Sequence, residues 1–286
     1  MISQAPNTRY VARKRRTQED KRFVTGRGVF VQDIERPGML HVAALPCPYP
    51  RARINNIDFS AALAMPGVHA VLDGAELAAA TNPLYGGLKT PGVKWRPLAF
   101  ELSRYAGEWV AAVAADSRAI AEDAIAESLA AAQDALELIE VDYPPTDPVI
   151  DPEEAYQAGS PQVHPEHGSN VLYDGEFTWG PVDDDFAAAD HSLSFRARWH
   201  RSSTVPIETF GAVAEWDEGK GILDVWASIQ MPNYADQIAG AMGIPLNAVR
   251  VHQDVDVGGS YGVKRGIKHT VLIGYLSRKL ERPIRL

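Results

Sequence analysis

The sequence has one cysteine, fewer basic than acidic residues and no long hydrophobic run, and each shortage excludes a class of protein. Cys47 alone cannot form a disulfide framework, an iron–sulfur centre or a zinc cage. Lys and Arg number 28 against 37 Asp and Glu, a formal charge of −9 that does not suit a binder of nucleic-acid phosphates. No run reaches the roughly 18 apolar residues of a membrane span, and residues 1–16 lack the apolar segment of a secretory signal. We therefore expect a cytoplasmic protein that neither binds nucleic acid nor spans a membrane.

The 286 residues are 45% hydrophobic and 23% charged, a globular composition whose length predicts roughly two domains. After a basic N-terminal arm at 1–20, the apolar patterns predict strands over 29–34, 39–45, 53–57, 68–73, 108–115 and 136–143. A short helix is expected after Asp58 and an alanine-rich helix from 117 to about 134, while the Pro- and Gly-rich segment 80–98 predicts a long loop. The first domain is assigned to residues 21–148.

A stretch rich in proline and glycine separates this domain from a second region of mixed structure. We assign the linker to residues 149–170, with a single helical turn at 151–155. Beyond it, the patterns predict strands over 192–200, 211–217, 221–229 and 249–256. Helices are predicted over 234–242 and 264–280. The second domain is assigned to residues 171–286.

The sharpest local chemical feature is the glycine-rich segment 257–262, which lies between a predicted strand and a predicted helix. Consecutive glycines let backbone N–H groups approach an anion closely, and the following helix N-terminus adds a favourable dipole. Lys264 and Arg265 could add positive charge. The spacing matches neither the dinucleotide fingerprint nor the P-loop. The segment is therefore either an anion-binding loop or a plain glycine turn.

Other polar residues leave two interpretations each. Glu208, after Pro206 on a predicted strand, is either a structural carboxylate or a site residue. His164 and His167 could hold a metal ion, but no carboxylate or cysteine with metal-site spacing accompanies them, which favours plain linker histidines. The residues alone thus predict a two-domain α+β protein with one candidate anion loop.

The order of the segments resembles the xanthine dehydrogenase/aldehyde oxidase family, in the N-terminal part of its molybdenum-binding large subunit. Five segments are similar to the family's α/β-hammerhead domain, namely 22–28 (RFVTGRG), 37–54, 62–74, 104–124 and 141–145 (VDYPP). Four more are similar to the start of its molybdopterin-binding domain, namely 180–191, 206–217, 227–251 and 254–266. The last contains GGSYGVK where the family has GGGFGxK. The resemblance covers roughly residues 17–286 and implies an α+β fold, a hammerhead domain followed by a partial molybdenum-cofactor-binding domain.

The resemblance also implies a small set of site residues. Gln230 occupies the position of the glutamine that lies beside the metal in the family. Backbone donors to the cofactor are expected from Gly258, Gly259, Ser260, Tyr261 and Gly262. Arg265 stands where purine-oxidising members carry a glutamate, and Glu208 keeps the carboxylate of the family's Glu-Pro-Arg-Gly stretch, so both are assigned to the substrate side. No direct metal ligand is expected in this chain.

Three departures from the family pattern lie in these same segments. Ser260 replaces the third glycine of the loop, Tyr261 replaces the usual phenylalanine, and Asn233 stands where the family has histidine after proline. Arg265 argues against a purine substrate. Ser260, Tyr261 and Val263 narrow the room for a pterin and leave open a protein that kept the fold without the cofactor.

By resemblance, the chain is a subunit of a molybdenum hydroxylase that uses water to hydroxylate an electron-poor carbon of an N-heterocycle or aldehyde. Family large subunits are more than twice as long and carry their base-catalytic glutamate near the C-terminus, so we expect no catalytic base here and no activity of the chain alone. The molybdenum–molybdopterin, expected in its cytosine dinucleotide form, would be shared with a second molybdenum-binding chain. The [2Fe–2S] clusters and FAD would lie in further subunits. The alternatives are a non-catalytic assembly subunit and a fragment of a longer large subunit.

Overall fold

The structure, a computed structural model, describes residues 17, 19–84, 92–122, 138–199 and 204–286. Its strands are β1 (Leu40–Pro46), β2 (Ala52–Arg53), β3 (Asn56–Asp58), β4 (Val68–Asp73), β5 (Leu102–Ser103), β6 (Trp109–Ala115), β7 (Glu140–Asp142), β8 (Ala212–Asp217), β9 (Ile222–Ala227), β10 (Val249–His252) and β11 (Ile284–Arg285). Its helices are α1 (Asp20–Val24), α2 (Ser60–Ala64), α3 (Gly74–Ala80), α4 (Pro152–Ala155), α5 (Val182–Ala188), α6 (Tyr234–Met242) and α7 (Ile267–Leu280). Residues 118–122 are also helical.

Seven of the strands form one sheet that joins the N-terminal and C-terminal halves of the chain. Its order is β10-β9-β8-β11-β1-β6-β4. The junction is β1, which pairs parallel with β11 and antiparallel with β6. At the far end, β9 and β10 run parallel, and α6 makes the connection between them. The carboxyl ends of β9 and β10 therefore lie at the same edge of the sheet.

The core lies on both faces of this sheet. Because side chains alternate along a strand, neighbouring residues of β6 enter different clusters, Ala112 and Ala114 on one face and Val113 and Ala115 on the other. The first face is covered by α6 and α7, which contribute Ile238, Ala239, Leu272 and Leu276. Burying a leucine or valine side chain contributes about 1.5–3 kcal/mol. The buried run of β6 thus contributes side chains to the core on both faces of the sheet.

Most of the predicted elements are confirmed. The predicted strands at 39–45, 68–73, 108–115, 211–217 and 221–229 correspond to β1, β4, β6, β8 and β9, and the helices at 234–242 and 264–280 correspond to α6 and α7. The single turn at 151–155 is α4, whose N-cap Asp151 accepts hydrogen bonds from the N–H groups of Glu153 and Glu154. The predicted strand at 249–256 is shorter and ends at His252. The predicted arm lies mostly in residues 1–16, and most of the predicted alanine-rich helix lies beyond residue 122. Both of these parts fall outside the described residues.

Two predicted strands are wrong. Over 29–34 the chain forms a 3-10 turn at Val31–Asp33, because the Asp33 carboxylate accepts the N–H of Phe30 at 2.8 Å and closes a local turn. Residues 192–199 form no strand, and no strand among the described residues pairs with them. Helix α3, which has seven residues and is capped by Asp73, was not among the predicted elements.

Gly74 is fixed by a close backbone approach. A Cβ there would lie 1.8 Å from the carbonyl oxygen of Ala99. We expect Gly74→Ala to lower the free energy of unfolding by about 1–3 kcal/mol, because the backbone must shift. Gly240→Ala is the matched control, since its new Cβ on α6 meets nothing within 4 Å and alanine favours a helix by about 0.5–1 kcal/mol. Urea unfolding measures both, and a Gly74→Ala variant as stable as the wild type would contradict this packing.

Candidate functional site

The candidate site lies at the edge of the sheet where β9 and β10 end. Gln230 follows β9 by three residues, and a glycine loop (residues 258–266) leads from β10 towards α7. Since β9 and β10 are parallel and adjacent, the segments after them emerge side by side. In open sheets with parallel strands, this edge is where ligands bind. The fold therefore brings together two groups that lie about thirty positions apart in the sequence.

Gln230 supports the glycine loop with one end of its side-chain amide. Its Oε1 accepts hydrogen bonds from the N–H groups of Gly262, at 3.0 Å, and Lys264, at 3.3 Å. Its backbone N–H donates to the carbonyl oxygen of Lys264 at 3.1 Å. The side chain is exposed, and no described residue accepts a hydrogen bond from Nε2. The amide therefore holds the loop with its oxygen and keeps its NH₂ donors available.

A buried ion pair holds the loop from below. Lys264 is fully buried, and its Nζ pairs with Oε2 of Glu208, which is 18% exposed. The same oxygen accepts the N–H of Gly258 at 2.5 Å. A Cβ at Gly258 would lie 2.8 Å from the Cβ of Glu208, so only glycine fits this approach. The expectation that Lys264 adds charge to an anion site is wrong, because its ammonium is neutralised inside the protein.

These contacts make Glu208 a carboxylate that positions the loop. Its assignment to the substrate side rests on the family resemblance alone and stays a prediction. Arg265, the other residue assigned to that side, is exposed near the end of the loop. Its guanidinium is the positive charge that the loop presents to solvent once Lys264 is paired.

The tip of the loop presents unused backbone donors. No described residue accepts a hydrogen bond from the N–H of Gly259, Ser260 or Tyr261. Tyr261 has a left-handed backbone, with φ of 49°, and its side chain is 70% exposed. Successive N–H groups around a residue of this conformation form a concave site for an anion. The arrangement favours the anion-binding interpretation of the glycine segment over that of a plain turn.

Both ends of the loop are fixed by residues distant in sequence. At the end, the hydroxyl of the buried Tyr234 donates to the carbonyl oxygen of Gly266 at 3.4 Å and contacts the Thr270 hydroxyl. Burial raises the pKa of Tyr234, and the Thr270 hydrogen bond offsets part of that rise. The tip of the loop is therefore exposed while both ends of the loop are held in place.

Before the loop, Asp256 anchors the N-terminal segment. Its carboxylate accepts hydrogen bonds from Arg22 and, at 2.8 Å, from the N–H of Val29. Burial tends to raise the pKa of this carboxyl, but the hydrogen bonds from Val29 and Arg22 outweigh it and leave the pKa below its ordinary value. Sequence reasoning missed Asp256, although Arg22 opens the RFVTGRG segment that carries the family resemblance.

The part of the chain that the structure describes contains neither a cluster of metal-binding side chains nor a membrane-spanning helix. No group of three or more His, Cys, Asp or Glu side chains is arranged to hold a metal ion there. His164 lies 3.3 Å from a Glu166 carboxylate oxygen, and His167 contacts the carbonyl oxygen of Val171 at 3.1 Å. No helix among the described residues has the length and apolar character needed to cross a bilayer.

Comparison with known proteins gives two family matches. The molybdopterin cofactor-binding domain matches residues 163–286, and the a/b hammerhead domain of aldehyde oxidase and xanthine dehydrogenase matches residues 25–127. The chain is 33% identical to the nicotine 6-hydroxylase large subunit of Paenarthrobacter nicotinovorans, over 98% of this chain and 34% of that protein. It is 35% identical to the carbon monoxide dehydrogenase large chain of Hydrogenophaga pseudoflava, over 87% of this chain and 31% of that protein.

A solved structure has the same fold over nearly the whole chain. Quinoline 2-oxidoreductase from Pseudomonas putida 86 superposes with a TM-score of 0.81 at 34% identity, covering 94% of this chain and 33% of that one. The chain thus spans about a third of the length of each of these three relatives.

Proposed function

Since the chain belongs to the xanthine dehydrogenase/aldehyde oxidase family, we propose that Gln230 and the glycine loop form one wall of a molybdopterin site. The observation that carries the proposal is the set of unused donors at the tip of the loop, the N–H groups of Gly259, Ser260 and Tyr261 beside the Nε2 of Gln230. A molybdopterin presents anionic and carbonyl oxygen atoms, which need donors of this kind. The residues present therefore fit the group.

Each residue of this wall has a distinct task. Gln230 holds Gly262 and Lys264 in place through its oxygen, and its NH₂ would donate to the bound cofactor. Glu208 and Lys264 fix the start and the underside of the loop. When bound, the cofactor supplies the molybdenum centre at which an electron-poor carbon is oxidised. The charge of Arg265 lies beside this wall and favours a substrate with negative or electron-rich groups.

The proposed assembly extends beyond the described wall. The rest of the molybdopterin site, and the glutamate that acts as base, would come from polypeptide equivalent to the other two thirds of the relatives, which we place on a second molybdenum-binding chain. The cofactor is proposed in its cytosine dinucleotide form, with [2Fe–2S] clusters and FAD in further subunits. The relatives are named for nicotine, quinoline and carbon monoxide. We propose an N-heterocycle or an aldehyde as substrate.

Metal and pterin analysis of the complex that co-purifies with this chain from its own cells tests the proposal. We expect about one molybdenum and one pterin per copy of the chain, because a site with one wall from this chain holds one cofactor. A complex without either group would overturn the proposal and favour a non-catalytic assembly subunit. The feature that favours such a subunit is the exposed bulk of Tyr261 and Val263 at the loop, which narrows the room for a pterin.

A further inference from the structure

The segment 192–199 carries large apolar side chains in water. Leu193 is 83% exposed, Phe195 80% and Trp199 90%. Aromatic side chains of this size normally bury about 150–250 Å² each in a folded protein. Exposed apolar patches of such an extent mark contact surfaces. The segment is thus a surface that the described residues leave without a cover.

The polar side of the same segment is already engaged. Arg196 contacts both carboxylate oxygens of Glu153, at 2.6 and 2.8 Å, and Arg198 contacts the Asp151 carboxylate at 2.8 Å. Exposed ion pairs of this kind contribute little stability, about 0–1 kcal/mol each. These ion pairs show instead where the two side chains point. Arg196 and Arg198, two positions apart, both extend towards α4.

The alternation of the sequence then sets the other side. In an extended chain, residues two apart share a face, so an extended segment would place the apolar set Leu193, Phe195, Ala197 and Trp199 opposite Arg196 and Arg198. This is the period-two pattern of a half-buried strand. This pattern predicts a strand, and the described residues provide no partner for it. The segment therefore has the side-chain pattern of a strand and one free face.

We propose that residues 192–199 are a docking strand for the polypeptide equivalent to the other two thirds of the relatives. That polypeptide covers the apolar face of the segment and forms backbone hydrogen bonds with it. This inference rests on the proposed function and names the contact through which that site is completed. Two observations choose this occupant. The relatives contain about twice as much further polypeptide, which has no counterpart in this chain. Trp199 also lies only nine positions before Glu208, so the segment is close in sequence to the residue that holds the glycine loop.

Variants with one added cysteine test the inference, because Cys47 is the one native cysteine of this chain and is buried. Ala197→Cys places a thiol on the apolar face with little change in size, and Ser194→Cys is the matched control on the opposite face. In the complex purified from the protein's own cells, we expect a maleimide to modify the Ala197→Cys variant at least about tenfold more slowly than the Ser194→Cys variant. Equal rates in a complex that contains molybdenum would overturn the inference while the proposed function stands.

The identity of the cover needs a second measurement. A photo-crosslinking phenylalanine analogue in place of Phe195 keeps an aromatic side chain on the apolar face. We expect its crosslinks to fall on peptides whose sequence matches the other two thirds of the relatives. Crosslinks to a second copy of this chain would overturn the inference. If the expected crosslinks form in a complex that lacks molybdenum and pterin, the docking strand is supported and the proposed function fails.

Discussion

Glu208→Ala is expected to lower the free energy of unfolding by about 3–5 kcal/mol, because it leaves the ammonium of Lys264 buried without a partner. Lys264 is fully buried, so water cannot replace the lost carboxylate. The variant also removes the acceptor for the N–H of Gly258 and frees the start of the glycine loop. Urea unfolding of the purified chain, followed by the fluorescence of its tryptophans, measures the effect.

Two control variants separate the buried charge from the loss of a carboxylate. Glu215→Ala removes the partner of Arg36 in a pair that is more exposed on both sides, and is expected to cost about 1 kcal/mol or less. The double variant Glu208→Gln with Lys264→Met removes both charges and should recover most of the loss, since a buried pair can be replaced by neutral groups. If Glu208→Ala cost no more than Glu215→Ala, the ion pair would not hold the loop.

Gln230→Glu is expected to separate the two tasks of the Gln230 amide. The carboxylate keeps an acceptor for the N–H groups of Gly262 and Lys264, so unfolding should change by less than about 0.5 kcal/mol. It removes the NH₂ donor and adds a negative charge beside an anionic cofactor. A lost hydrogen bond to a charged group costs about 1.5–3 kcal/mol, so molybdenum and pterin retained per copy should fall at least about tenfold.

Gln230→Ala and Gln157→Glu complete this comparison. The alanine variant loses acceptor and donor together, so it should lose the cofactor and also about 1 kcal/mol of stability. Gln157 lies on the exposed side of the region 151–170, so Gln157→Glu adds the same charge away from the loop and should leave molybdenum content unchanged. Full cofactor retention by Gln230→Glu would remove Gln230 from the site.

The sequence predicted the central strands because their side-chain patterns are complete within one segment. The buried run of β6 and the periodicity of α6 each follow from local spacing. The family resemblance and the fold class are confirmed by the family matches and the quinoline 2-oxidoreductase structure. The division at 149–170 stays a prediction, and β1 and β11 show that one sheet can join strands from both sides of it.

The errors have physical reasons that local patterns do not contain. The position of Lys264 beside the glycines suggests that it could add charge to an anion site, but its partner Glu208 lies 56 positions earlier and pairs with the ammonium inside the protein. Asp256 was missed because its partner Arg22 lies 234 positions away. The predicted strand at 192–200 has a strand pattern without a strand partner among the described residues, a combination that the docking proposal explains.

The most direct test of the central claim is a structure of the molybdenum-loaded complex purified from the protein's own cells. We expect pterin or phosphate oxygen atoms within about 3.5 Å of the N–H groups of Gly259, Ser260 or Tyr261, and a cofactor oxygen at Nε2 of Gln230. A cofactor bound elsewhere in the complex, with the tip of the loop facing solvent, would contradict it.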